Sequence, residues 1–232
     1  MIHRKRMLAA VAACAIVALV AVALIATVTQ AEMGANWVVK GTNVTALLKP
    51  EVGVELEKLP VNGPRHLLLL TKLGETKVEI LCGGFVAIGF LLTGGKGSTS
   101  AIQLSECATF LNGKIDESCT PKEPIVAKAK SLIVLAAPIT LLLFEPEAGG
   151  EFGAIKFEAG CFLPEEVAIT GSFYVKETNG KLETEEQFHL FEQALGFGGG
   201  LFFGNEPMTI DGSGKASLFS PHATAIWKGK GA

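Results

Sequence analysis

Apolar and polar residues alternate along several short stretches of this chain. In EVGVELEKL at 51–59 most alternate positions are apolar, and the same period recurs in TKVEIL at 76–81 and AIKFEA at 154–159. A period of two places one face of a strand in a core and the other in water. The pattern therefore predicts half-buried β-strands joined by turns.

Glycine and proline divide the rest of the chain into short segments rich in Val, Ile, Leu, Phe and Thr. Segments of this kind predict further strands at 37–40, 66–70, 85–92, 100–104, 125–134, 139–144, 167–175, 200–203 and 216–227, the last interrupted at Pro221. The predicted class is all-β, folded as an antiparallel sandwich or an open barrel.

Two stretches depart from the strand pattern. KLETEEQFHLFEQAL at 181–195 is rich in Glu and Gln, and the spacing of Phe188, Phe191 and Leu195 suits a helix that ends at Gly196. We therefore expect at most one short helix, in this stretch. DGSGKAS at 211–217 lacks the spacing of a phosphate-binding loop and predicts a hairpin turn.

The N-terminus has the composition of an export signal. Arg4, Lys5 and Arg6 precede an uncharged apolar run from 8 to 28, and Thr29-Gln30-Ala31 offers the small residues that a signal peptidase reads. We expect residues 1–31 to be a signal peptide and 32–232 to form an extracellular β-domain. The alternative is a retained single-pass anchor, because the run approaches the roughly 20 residues that span a bilayer.

The charge balance argues against a nucleic-acid partner. Of 20 Lys+Arg and 23 Asp+Glu in the chain, residues 1–31 contain three bases and no acids, which leaves 17 against 23. A nucleic-acid surface needs clustered positive charge. We therefore expect an extracellular or cell-envelope partner, and contact with a membrane only through residues 8–28 if they are uncleaved.

Four cysteines remain after the predicted signal: Cys82, Cys107, Cys119 and Cys161. Zinc and redox sites typically use C-x-x-C pairs, which are absent here, so an even number in an exported chain predicts two structural disulfides. Four cysteines permit three pairings. We expect Cys107 to pair with Cys119 across the Asn112-Gly113 turn, which leaves Cys82 for Cys161.

A short repeat supports the second pair. KVEILC at 77–82 and KFEAGC at 156–161 are both alternating segments that end in cysteine, and each is followed by a segment that contains glycine. Two similar halves would place Cys82 and Cys161 at equivalent strand ends. Chance similarity between amphipathic strands is the competing interpretation.

The cysteine-bearing strands also carry a resemblance. The succession KVEILC, AIQLSEC, AIKFEAGC and VAITGSFYV, within residues 37–230, resembles an uncharacterised family of exported actinobacterial proteins with β structure and paired cysteines. The resemblance implies an envelope or extracellular location. It implies no catalytic residue.

No motif announces catalysis. The chain has no G-x-S-x-G motif, and we expect no metal ligands and no cofactor. The leading interpretation is a non-catalytic exported domain with a structural, adhesive or binding role. The alternative is a secreted polysaccharide hydrolase that uses two of the glutamates, namely Glu165, Glu166, Glu183, Glu185 and Glu186.

Overall fold

The computed structural model describes residues 35–56, 67–136, 139–177, 186–192, 200–222 and 227–230. The predicted signal peptide or anchor lies outside these ranges. The strands are β1 Asn36–Val39, β2 Thr42–Asn43, β3 Glu51–Leu56, β4 Leu67–Leu73, β5 Thr76–Leu91, β6 Lys96–Leu111, β7 Lys114–Ile115, β8 Ile125–Ala127, β9 Ala129–Ala136, β10 Ile139–Pro146, β11 Glu151–Lys156, β12 Glu166–Gly171, β13 Phe173–Glu177, β14 Glu186–Glu192, β15 Leu201–Phe203, β16 Glu206–Leu218 and β17 Trp227–Lys230.

Most of these strands form one closed, barrel-like antiparallel sheet with eight positions in chain order. Three positions are the single long strands β5, β6 and β16, and five are occupied by two successive segments, namely β3 with β4, β8 with β9, β10 with β11, β12 with β13, and β14 with β15. The ring closes because β16 pairs with β3 and β4 on one side and with β14 and β15 on the other. The all-β, antiparallel prediction is confirmed, and the strands of the described residues close into a ring.

The alternation of inward and outward side chains along β5 is interrupted at its middle, where the strand pairs with β6. Cys82 and Phe85 are both buried, although three residues apart they would point to opposite faces of a straight strand. Gly83 and Gly84 occupy this interruption, and a Cβ on Gly84 would clash with Ser105 Oγ on β6. The glycines therefore allow β5 to continue through a point where the sequence predicts two separate strands.

Closure of the ring overrides two local predictions. Within 181–195, residues Glu186–Glu192 form strand β14, so the predicted helix is wrong there; the rest of that segment lies outside the described residues. The glycine-rich 211–217 is part of β16 and pairs with β14, so the predicted hairpin turn is also wrong. β14 and β16 each supply the backbone hydrogen-bond partners that the other would lack at a sheet edge, which favours the strand state in both segments.

A second, three-stranded sheet joins the two ends of the described chain, with β1 between β17 and β2. It lies at the barrel end where β5 turns into β6, since Trp37 Nε1 donates a hydrogen bond of 2.8 Å to the carbonyl oxygen of Lys96. We call this end of the barrel the tryptophan end. Trp37 and Trp227 are both almost fully buried there, with ring centroids 5.7 Å apart.

We call the opposite end of the barrel, which contains residues 112–124 and 157–165, the disulfide end. Its interior is filled by buried side chains of the strands and of the 157–165 segment, including Val78, Ile80, Ile155, Phe157, Leu163 and Phe203. Among the described residues the sole helical element is a 3-10 turn at this end, Glu117–Cys119. In all the ranges that the structure describes, no helix has the length and apolar character needed to cross a membrane.

Candidate ligand cavity

The barrel interior contains an apolar cavity of about 130 Å³. All eight positions of the ring contribute to its wall, for example Val52, Phe85, Leu104, Leu142, Ile169 and Met208. An eight-stranded closed sheet is just wide enough either to be filled by its own side chains or to hold one small ligand. Here the disulfide end is filled, and the cavity extends from the middle of the barrel to the tryptophan end.

Aromatic side chains line the wall of the cavity near the tryptophan end. The rings of Phe144 and Phe173 are stacked with centroids 5.2 Å apart, and Phe152 is tilted against Phe173 at 5.6 Å. Trp37 and Trp227 also contact the cavity. These rings offer flat apolar faces to a ligand.

Three hydroxyl-bearing strand residues, Ser98, Thr99 and Ser131, interrupt this apolar wall. Ser98 is directly opposite Lys130, whose side chain is on the outer surface, so the Ser98 side chain also points to the outer face of the sheet. Thr99 Oγ1 is already bonded, since it donates to the Ala129 carbonyl at 2.8 Å and accepts from the Ala129 amide at 2.6 Å. Ser131 lies opposite Gly97 on β6 and Phe144 on β10. A Cβ on Gly97 would clash with Ser131 Oγ, so glycine at 97 leaves the room that this hydroxyl occupies.

No Asp, Glu, Lys, Arg or His lines the described part of the cavity. The neighbouring charges lie on the outer surface, where Lys130 forms an ion pair with Glu145 at 3.6 Å. Moving a charged group into such a wall without a partner would cost several kcal/mol. The cavity is therefore suited to a neutral molecule.

The four predicted disulfide cysteines form two bridges, Cys82–Cys107 and Cys119–Cys161. The expected pairing of Cys107 with Cys119 and Cys82 with Cys161 is therefore wrong. Cys82 and Cys107 are directly opposite in the β5–β6 register, whereas Cys161 is in the loop after β11 and not at an equivalent strand end. Two disulfides are typical of a chain in a non-reducing, extracellular environment.

The Asn112-Gly113 turn explains the wrong pairing. Both residues have positive φ, at 50° and 80°, as in a type I′ hairpin turn, so the predicted turn is present. However, β7 after it has only two residues, and the chain then enters the 3-10 turn that ends at Cys119. This turn carries Cys119 away from β6 and towards the loop that contains Cys161.

The glutamates of the hydrolase alternative do not contact the cavity where they are described. Glu165 and Glu166 are exposed, and Glu166 forms an ion pair with Lys156 at 3.6 Å. Glu183 and Glu185 lie outside the described residues, as does the side chain of Glu186. The structure brings together no cluster of three or more His, Cys, Asp or Glu suited to a metal ion within its described ranges.

One titratable group outside the cavity has a shifted pKa. Tyr174 packs with Val134, Leu141 and Leu143 in a small apolar cluster apart from the main core. Burial raises the pKa of its hydroxyl, and the nearby Glu145 carboxylate raises it further. Both effects disfavour the tyrosinate.

Sequence patterns identified the disulfide cysteines but missed the cavity. Its residues belong to different strands and carry no shared motif, and Ser131 is an ordinary strand residue until the register places it beside Phe144.

Comparisons with protein families, with curated proteins and with solved structures found no match.

Proposed function

We propose that this protein is a non-catalytic, exported binding domain that holds a small, neutral, apolar molecule inside its barrel. The observation that carries the proposal is the cavity of about 130 Å³, lined by apolar and aromatic side chains from every position of the ring. A cavity of about 150 Å³ with a comparable wall is large enough to bind benzene. The proposal specifies the binding role among the structural, adhesive and binding roles that the sequence favours.

The location proposed for this function is the cell envelope or the extracellular space. It is supported by the N-terminal basic and apolar segments and by the two disulfides. Membership of the exported actinobacterial family remains a prediction from the cysteine-bearing strands. The intact mass of protein produced with its own leader, with and without reduction, tests cleavage before Glu32 and the presence of two bridges.

The binding proposal can be tested with the protein's own tryptophans. The chain has two, both contact the cavity, and so their fluorescence reports directly on its occupancy. We expect benzene and cyclohexane to change the tryptophan emission saturably and to raise Tm, because a ligand that binds only the folded state stabilises it. An unchanged emission and an unchanged Tm up to the solubility limit of both probes would contradict the proposal.

A matched pair of variants separates the cavity from the outer surface. Ala87 lines the cavity, whereas the adjacent Val86 is 46 % exposed on the outside of the same strand. Ala87→Leu fills part of the cavity, and we expect it to weaken binding of both probes at least tenfold. Val86→Leu should leave binding unchanged, and equal effects of the two variants would show that the probes bind elsewhere.

The hydrolase alternative predicts a different result. A secreted glycosidase would release reducing sugar from a polysaccharide, and replacing its acid or nucleophile would abolish that release. Release that disappears in Glu165→Gln or Glu166→Gln would favour the alternative. We expect no release above that of a heat-denatured control.

A further inference from the structure

We propose that the ligand is a phenol-class molecule, a single aromatic ring with one hydroxyl group, and that Ser131 selects it. This inference rests on the proposed function, since it concerns the same cavity. It names the chemical class of the ligand and the residue that recognises its polar group.

Strand geometry places the Ser131 hydroxyl on the inner face of the sheet. Neighbouring side chains of a strand point to opposite faces, and Lys130 is in an ion pair with Glu145 on the outer surface. Ile133, two residues further along the strand, is completely buried in the core. Ser131 therefore shares the inner face with Ile133 and contacts the cavity.

Within the described part of the chain the Ser131 hydroxyl forms no hydrogen bond, whereas the Thr99 hydroxyl beside the same cavity forms two to Ala129. A hydroxyl can donate one hydrogen bond and accept two. A ligand that reaches the cavity wall with its own hydroxyl would therefore find both a donor and an acceptor at Ser131. A charged ligand would find no counter-charge in the described wall.

The rings beside Ser131 favour an aromatic ligand body. Ser131 and Phe144 are directly opposite in the β9–β10 register, and Phe144 stacks on Phe173. A ligand ring that contacts these faces gains offset or edge-to-face contacts beyond its buried area. The volume of about 130 Å³ limits that body to about one six-membered ring.

Benzene and phenol form the decisive probe pair because they share the ring and differ by one hydroxyl. We expect the wild-type protein to bind phenol more tightly than benzene. Ser131→Ala should weaken phenol binding about fivefold, the loss typical of one neutral hydrogen bond, and leave benzene binding within twofold. Ser131→Thr keeps the hydroxyl and should retain the preference for phenol.

Ser217→Ala is the matched control, because Ser217 is a half-buried strand serine that does not contact the cavity. It should leave both affinities unchanged. Binding of benzene and phenol that is unaffected by Ser131→Ala, or weakened equally for both, would overturn the role of Ser131 while leaving the proposed function intact. Failure of the wild-type protein to bind either probe would instead overturn the proposed function.

Discussion

The two ends of the barrel use similar apolar side chains in different ways. At the disulfide end, Phe157 and Phe203 meet edge to face with centroids 6.4 Å apart, and the Cys119–Cys161 bridge ties together the two loops that cover them. At the tryptophan end, the rings of Phe144, Phe152 and Phe173 line the wall of a cavity. The same eight-stranded ring is thus filled at one end and able to hold a ligand at the other.

The origin of the covering segments differs as well. The disulfide end is covered by loops from within the barrel sequence, joined through a covalent bond. The tryptophan end is covered by β1 and β17, which come from opposite ends of the described chain and are held by backbone pairing and by buried tryptophans. A covalent cover favours stability, whereas a non-covalent cover can separate without breaking a bond. This difference is consistent with a binding site at the tryptophan end.

The largest expected effect is the loss of a bridge at the disulfide end. The Cys119–Cys161 bridge closes 42 residues and the Cys82–Cys107 bridge closes 25. In the chain-entropy model, replacing both members of a pair with Ala costs about 4 kcal/mol for the longer loop and about 3.5 kcal/mol for the shorter one. Urea unfolding of the two double variants measures these costs.

Peptide mapping without reduction checks the pairing behind that prediction. Fragments that join Cys82 to Cys107 and Cys119 to Cys161 are the expected result. A fragment that joins Cys107 to Cys119 would show that the disulfide end is covered differently from the structure described above.

A matched pair of phenylalanines tests whether the two ends differ in packing. Phe157 is in the filled end, while Phe152, five residues earlier, contacts the cavity. Phe157→Ala should lower the free energy of unfolding by about 3–5 kcal/mol, and Phe152→Ala by about 1–2 kcal/mol less, since a side chain beside a cavity already lacks some packing partners. Equal losses in chemical denaturation would mean that the two ends are packed alike.

The smallest effect concerns Tyr174, in the apolar cluster apart from the main core. The chain has a single tyrosine, so absorbance at alkaline pH reports on this residue alone, and we expect its pKa to lie above the ordinary value of about 10. A raised pKa in the folded state means that the folded state binds the proton more tightly than the unfolded state does. The resulting stability is present below pH of about 10 and is lost as the pH rises through the folded-state pKa.

Tyr174→Phe is the control for this titration, because it removes the ionising group and retains the ring. Its free energy of unfolding should depend less on pH above about 10 than that of the wild-type protein. A tyrosine that titrates at or below its ordinary pKa would show that the cluster around Tyr174 is open to water.

Local pattern was sufficient for much of the fold. Alternation at 51–56 and 76–81 predicts strands that are present, because a half-buried strand needs its apolar residues on one face wherever it lies in a sheet. The Asn112-Gly113 turn was likewise predicted, since few other dipeptides accept two successive positive φ angles. The number of bridges followed from the number of cysteines outside the predicted signal.

Closure of the ring decided what local pattern could not. The strand state of Glu186–Glu192 and of 211–217 depends on partners at opposite edges of the sheet, because each strand satisfies backbone groups that the other exposes. The cysteine pairing and the cavity likewise depend on which distant segments the closed ring brings together. Ser131 comes to lie beside Phe144 and Gly97 only through the register of three strands, and contacts between residues distant in sequence leave no periodic trace in the sequence itself.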